Sequence, residues 1–437
     1  MKFLSLSCIA CIVVSIQACL LPEEIEGKPR KINRRQTSNG VPIGSGDRYA
    51  GGTIAPRGVG TQSTTFTSVL STAEIASGLK GLTSVYGINT FSTPYPTYQG
   101  RTISGGRVGG SGTCTNAFRI FLEAGIHARE RGGPDGLLFF IGDLLYANRT
   151  GTGLTFGSRT YTNAQVKTAL SAGIVFLPLV NPDGVAYDQS SNSCWRKNRN
   201  PASSTGSAAS IGIDLNRNLD FLWNFPKYFA RRVQTDSLAS NSPEDETFHG
   251  TAAFSEPETK SIKWILDTYA KVRWFLDLHS FAGDVLYSWG DDQSQTTTTA
   301  QSFNNSAFDS IRGITTDTAY KEYVKPAEFS AIQAVASRVG QASSAAAGRT
   351  YAVMQSSELY PTSGSTTDYV YGRHLVNSAL NIVRGFTIEF GFGNEASSCP
   401  FYPTQSQHTA NLKEIEAGFM EFVLAAVANG LGDATVC

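Results

Sequence analysis

The sequence predicts an α/β fold. Four bulky apolar runs have strand length: residues 118–123, 172–180, 272–278 and 385–390. Stretches with helical features fall between or after them, at 134–148, 256–271, 326–347 and 408–429. Strands that alternate with helices imply a largely parallel or mixed sheet covered on both faces. The chain has 437 residues, 41% of them hydrophobic, which is ample for one large core or two small ones. No internal repeat divides it.

In chain order, residues 1–19 read as an export signal. Lys2 is the basic start, Leu4 to Ile16 is mostly apolar, and Ala18 is a small residue at a cleavage position. The run is too short to span a bilayer. Ile16-Gln-Ala-Cys19 also loosely resembles a lipoprotein signal. Residues 20–60 are polar and aperiodic and read as a short pro-segment or linker, with Arg34-Arg35 as a processing site; residues 61–437 read as the main folded domain. Within 61–85, Ala73, Ile75, Leu79 and Leu82 give a helical pattern, with Ser71 or Thr72 as N-cap and Glu74 in the first turn. Residues 86–117 are rich in Gly and Thr and should hold short strands. Pro134 suits the start of the helix at 134–148. Asn181-Pro-Asp-Gly184 reads as a turn after the strand at 172–180.

Composition narrows the function classes. The formal net charge is zero, so nothing argues for nucleic acid or an anionic membrane surface. No other apolar run approaches membrane-spanning length. Of seven cysteines, three lie in or at the edge of the signal. Cys114, Cys194, Cys399 and Cys437 remain, which in an exported chain suggests two disulfides with three possible pairings. Asn148-Arg-Thr150 and Asn304-Asn-Ser306 fit the N-glycosylation pattern.

Three of the apolar strands deliver ionisable groups. Gly125 ends the first, so His127 and Glu130 fall just past its C-terminal end, where ligands bind in open α/β sheets. The strand at 272–278 delivers His279, and the strand at 385–390 carries Glu389. An ionisable group beside a buried strand is costly unless paired or bound to a metal. A His and a Glu three apart can turn an imidazole nitrogen and a carboxylate oxygen to one point, and a catalytic zinc takes three such ligands. Taken alone, His-x-x-Glu also describes an ordinary surface loop, and His279 alone could be a satisfied core histidine. The arginines of Trp195-Arg-Lys-Asn-Arg199 and Asp214-Leu-Asn-Arg-Asn218 suggest an anionic substrate group or an oxyanion near that point.

With these motifs in place, the sequence resembles the zinc carboxypeptidases of the carboxypeptidase A/B type. The matching stretches are Gly125-Ile-His-Ala-Arg-Glu130, Asn181-Pro-Asp-Gly184, Trp195-Arg-Lys, Asp214-Leu-Asn-Arg-Asn218, Glu246-Thr-Phe-His-Gly250, Ser255-Glu-Pro-Glu258, Asp277-Leu-His-Ser280, Tyr360 ahead of Thr362-Ser-Gly364, and Thr387-Ile-Glu389. They occur in family order over about residues 65–430. The resemblance implies a single catalytic domain with a mixed, twisted central sheet flanked by helices on both faces. It implies one Zn2+ held by His127, Glu130 and His279, with Asp214 orienting a ligand imidazole. Glu389 would be general base and then acid, and Arg196 would stabilise the oxyanion. Asn216 and Arg217 would hold the substrate's terminal carboxylate, Tyr360 would close over it, and Arg129 would line a subsite. One departure is Ser193, where the pancreatic-type enzymes carry a second arginine two residues before the Trp.

The resemblance implies a secreted, monomeric metallocarboxypeptidase acting on peptides and proteins with a free C-terminal carboxylate. In the family an acid at the base of the side-chain pocket selects Lys or Arg. The matching position is Thr367, with Gly290 and Thr387 nearby, so aromatic or aliphatic C-terminal residues are expected. Asp291 and Asp292 lie close enough in sequence to disturb that preference. A deacylase of the aspartoacylase kind and a catalytically dead binding module are the rival readings. The Tyr360 segment and the pairing of Asn216 with Arg217 favour the peptidase.

Overall fold

The four predicted strands form the centre of an eight-stranded sheet. In chain order its strands are β1 (Asn89–Ser92), β2 (Ser104–Val108), β3 (Ile120–Ala124), β4 (Ile174–Leu177), β5 (Trp274–His279), β6 (Asp284–Tyr287), β7 (Ala352–Gln355) and β8 (Arg384–Glu389). Across the sheet the order is β1-β2-β4-β3-β5-β8-β6-β7. The central strands β4, β3, β5 and β8 run parallel, while β1–β2, β2–β4 and β8–β6 are antiparallel, so the sheet is mixed. This computed structural model describes residues 20–25, 40–62, 66–110 and 114–432, which form a single domain. The export signal at 1–19, Arg34-Arg35 and Cys437 lie outside the described residues.

The helices around the sheet start and stop where local chemistry directs. The helix Thr72–Tyr86 is N-capped by Ser71, with Glu74 completing a capping box, and ends on Gly87 at φ 71°. The helix Gly133–Thr150 begins with Pro134 and stops at Gly151. The stretch Asn181-Pro-Asp-Gly184 departs from its turn reading. Asn181 accepts from Gly184 N and Pro182 occupies the first helical position, so the stretch opens a helix, Pro182–Ser191. The remaining large helices are Pro257–Thr268, Pro326–Ala347, Thr366–Val376 and Gln405–Asn429.

Side-chain alternation along β8 separates its two faces. Phe386 packs its ring 5.3 Å from Phe422 of Gln405–Asn429, and Ile388 lies against Gly418 of the same helix. On the opposite face, a Cβ at Gly385 would meet the carbonyl of Thr367 at 2.4 Å, so only glycine lets the helix Thr366–Val376 approach. Thr387 and Glu389 share that second face. The sheet is therefore covered by a helix on each side at β8, and Glu389 is aimed at the same side as Thr367.

Two short strands had no signal in the sequence. β6 and β7 have four residues each. Residues 41–60 are part of the domain: Val41 and Tyr49 are buried, and the Gly58 and Gly60 amides donate to Asp143 at 2.7 Å each. Among the described residues, no helix is long and apolar enough to cross a membrane.

Candidate metal centre and substrate cleft

The register of the sheet assembles the centre. His279 and Glu389 are direct partners across β5 and β8, about 4.8 Å apart along the hydrogen-bonding direction. Next to β5, β3 ends at Ala124 and turns on Gly125, whose φ of +71° favours glycine. The turn carries His127 and Glu130 back toward His279. It is pinned from behind: Asn181 Nδ2 donates to Ile126 O at 3.0 Å, and Ala128 N donates to Arg196 O at 3.0 Å.

His127 Nδ1 lies 2.7 Å from Glu130 Oε1 and 3.1 Å from His279 Nδ1, while His279 Nδ1 lies 3.2 Å from Glu130 Oε2. All three residues are buried, and one donor atom from each lies within 4.8 Å of the others. The far ring nitrogens are already used. His127 Nε2 is 3.1 Å from Asp214 Oδ1, and His279 Nε2 is 2.9 Å from Asp277 Oδ2. Each carboxylate draws the ring proton to Nε2, which leaves a lone pair on each Nδ1. Two lone pairs and a carboxylate thus face one point with no proton donor among them. Such a group repels itself unless a cation sits between, and two imidazoles with one carboxylate suit zinc.

Charge around this point is tightly paired. Asp214 is fully buried; its Oδ2 accepts from Arg196 Nε at 3.2 Å and Nη2 at 2.9 Å. Burial pushes its pKa up, but Arg196 and then His127 outweigh that and hold it well below the ordinary carboxylate range. Arg217 is fixed by three carbonyls: Leu238 O, Ser237 O and Asn216 O. Asn216 spends its Oδ1 on Thr366 N, which leaves its amide N–H groups for the cleft.

A pocket opens beside Glu389. Arg196, Asn216 and Arg217 stand at one side; Leu286, Leu359, Thr362, Thr367 and Thr387 form its walls, and Tyr360 borders it. Among the described residues, no acid other than Glu389 lines it. Asp291 is fully buried, and Asp292 accepts from Gln293 N and Gly313 N at 2.7 Å each, so neither reaches the pocket. Asp368 lies behind the wall, where both its oxygens accept from Gly290 N. Burial raises its pKa to about 7.

The structure brings His127, Glu130, His279, Asp214, Arg196 and Glu389 together, with Asn216, Arg217, Tyr360 and Thr367 at the adjoining pocket. Arg129 is engaged elsewhere: its Nη1 and Nη2 donate to Glu24 at 2.6 and 2.8 Å, and its guanidinium stacks over Phe401 at 4.2 Å. Two residues in the centre had no role from the sequence. Asp277, the carboxylate behind His279, could have been found from its position two residues before it on one strand, because i and i+2 share a face. Thr366 Oγ1 adds a 2.7 Å bond to the same carboxylate oxygen.

The protein-family model described as zinc carboxypeptidase matches residues 90–415. Zinc carboxypeptidase A 1 of Drosophila melanogaster is 35% identical over 208 residues, 47% of this chain and 42% of that protein. Carboxypeptidase B of Helicoverpa zea is 34% identical over 176 residues, 40% of this chain and 35% of that protein. The chain thus spans less than half the length of these curated relatives. The crystal structure of thrombin activatable fibrinolysis inhibitor superposes with a TM-score of 0.61 at 20% identity, over 88% of this chain and 80% of that one, which is a likeness of fold.

Proposed function

This chain belongs to the zinc carboxypeptidase family, and from that premise we propose that it is a secreted, zinc-dependent metallocarboxypeptidase. It removes the C-terminal residue of peptides and proteins and favours aromatic or aliphatic ones. One observation carries the reading: a His, His, Glu donor set adjoins a pocket with uncharged far walls and an arginine fixed at its side.

His127 Nδ1, His279 Nδ1 and the Glu130 carboxylate would hold zinc. When bound, zinc supplies Lewis acidity toward the scissile carbonyl and the attacking water. Glu389 takes a proton from that water as the oxygen–carbon bond forms, and returns it to the departing amine as the carbon–nitrogen bond breaks. Arg196 faces the negative charge that builds on the carbonyl oxygen. Asp214 holds the His127 tautomer and the Arg196 guanidinium with one carboxylate. Arg217, with Asn216, receives the terminal carboxylate, so an internal peptide bond offers nothing at that position. Tyr360 closes over the substrate at the pocket mouth.

The side-chain preference rests on neutral walls. Leu286 and Leu359 offer apolar contact, and hydroxyls of Thr362, Thr367 and Thr387 replace the acid that a Lys or Arg side chain would need. Hydrolysis of matched substrates ending in Phe, Leu, Lys and Arg tests it. Faster release of Phe and Leu is expected, and a strong Arg preference refutes it.

Residues 20–25 lie over the outer cleft as part of a short pro-segment. Glu24 occupies the Arg129 guanidinium, and Leu21 is buried beside Phe281, Phe401 and the Cys194–Cys399 disulfide. Burial raises the Glu24 pKa, but Arg129 outweighs it and keeps the carboxylate charged. In the uncleaved chain, Glu24→Ala should raise kcat/KM for long peptides by about tenfold, a change worth 1.4 kcal/mol, and leave blocked dipeptides unchanged. Equal rates on long peptides would remove the pro-segment role.

A further inference from the structure

A buried network that the proposed chemistry does not use joins the two segments on which that chemistry depends. Its centre is Asp188, fully buried near the end of the helix Pro182–Ser191. Asp188 Oδ2 accepts from Arg131 Nε at 3.0 Å and Nη2 at 2.8 Å. Its Oδ1 accepts from Trp195 N at 2.9 Å and from the Tyr402 hydroxyl. Arg131 Nη2 also donates to Asp188 O and to Asn192 Oδ1, and its guanidinium lies 3.4 Å above the Tyr402 ring. Tyr402 OH in turn accepts from Cys194 N at 2.7 Å, and Cys194 is bonded to Cys399.

The positions of these partners in the chain give the network its meaning. Arg131 follows metal-facing Glu130 directly. Cys194 and Trp195 directly precede Arg196. Tyr402 and Cys399 belong to the segment after β8, the strand that ends in Glu389. One carboxylate, one phenol and one disulfide thus tie together the chain on either side of the centre. Asp214 already bridges His127 to Arg196 at the side chains, and Ala128 N to Arg196 O bridges them at the backbone. The Asp188 network braces the same two segments through their next residues. A buried carboxylate with four donors costs desolvation that only full satisfaction repays, and burial does raise its pKa against the pull of Arg131.

We propose that Asp188, acting through Arg131, Tyr402 and the Cys194–Cys399 disulfide, is a positioning residue that sets the distance between the Glu130 metal-facing loop and the Arg196 oxyanion side chain. The inference rests on the metallocarboxypeptidase reading. Misplacement by about an ångström can cost on the order of a hundredfold in rate, and the loss should fall on the transition state. The terminal carboxylate is held by Arg217, which the network does not touch, so ground-state binding should be spared.

The test compares wild-type protein, Asp188→Asn and Tyr402→Phe on a C-terminal Phe peptide. It also measures binding of a phosphonate transition-state analogue by calorimetry, and zinc content. Asp188→Asn should lower kcat by about 10- to 100-fold and weaken the phosphonate by a similar factor, with KM within about threefold. Tyr402→Phe, which removes one hydroxyl and is the milder variant should Asp188→Asn not fold, should show the same split at smaller size. Unchanged kcat per zinc-loaded molecule in the folded variants, or loss confined to KM, overturns the proposal while leaving the peptidase reading intact. A zinc-loaded wild type that hydrolyses nothing overturns both.

Discussion

The metal-facing side of the cleft and the side-chain pocket share a wall at Thr366 and Thr367, yet they are made of opposite materials. On the metal side the groups are charged or strongly polar, and Asp214, Arg196 and the far nitrogens of both histidines are committed to partners. Asp214 shows the rule: it is fully buried, receives Arg196 and His127, and is held ionised. Behind the pocket wall, the carboxylate of Asp368 is equally buried but has only a backbone amide and hydroxyls for company, and its pKa is pushed up to about 7. Burial acts on both, and the presence of an arginine decides which stays charged. A charge without a partner is not tolerated in the wall, which supports the proposed reading of shape and apolarity by the pocket and of charge by the metal side.

The largest expected effect breaks the metal side alone. Glu389→Gln should keep zinc, keep the order of side-chain preference and lose about 10²- to 10⁴-fold in kcat, the usual worth of a general acid–base group. Single-turnover rates with zinc analysis check it; near-normal turnover would take the proton-transfer role from Glu389. Arg217→Ala sits on the boundary. It should cost about 10- to 100-fold in kcat/KM on free C-termini, as expected for a charge-assisted hydrogen bond of about 1.5–3 kcal/mol, and leave blocked peptides as poor as before. Retained selectivity for free C-termini would contradict that assignment. Thr367→Asp sharpens the contrast from the other side. An acid on the neutral wall should shift kcat/KM toward Arg-terminated substrates by about tenfold, and an unchanged Phe-to-Arg ratio would mean that Thr367 does not face the substrate side chain.

The smallest effect is on stability. Because the folded pKa of Asp368 is raised, its stabilising protonation is fully present below the ordinary carboxyl range, near about 4, and is lost as pH rises through about 7. Asp368→Asn should therefore flatten the fall in thermal midpoint between these pH values. An unaltered slope would show that Asp368 is ionised in the fold.

The same contrast explains what could be read from the sequence. His127, Glu130, His279 and Glu389 were legible because each ends or closely follows an apolar strand, where an ionisable group has no structural excuse. Asp277 was hidden inside such a strand, although its two-residue offset from His279 places it on the same face. The pocket wall is assembled from neutral residues of three separated stretches, around 286, 359–367 and 387, and neutral residues carry no local signal. Whether Asp291 and Asp292 turned toward the substrate depended on side-chain direction across a turn, which periodicity does not encode. β6 and β7 were too short to show a period. Asn181-Pro-Asp-Gly184 has turn composition, but an N-cap followed by proline starts a helix equally well. The pairing of Cys194 with Cys399 and of Glu24 with Arg129 spans 205 and 105 residues, distances over which only the folded chain brings partners together.

The central claim is that a metal-dependent centre cleaves beside a pocket that recognises the chain end. The most direct measurement offers purified mature protein one peptide with a free C-terminal Phe and the same peptide amidated, with and without a zinc chelator, and weighs the products by mass spectrometry. Stepwise, chelator-sensitive loss of the last residue from the free peptide alone is the predicted result. Equal cleavage of both peptides, or cleavage of neither with zinc bound, would contradict it.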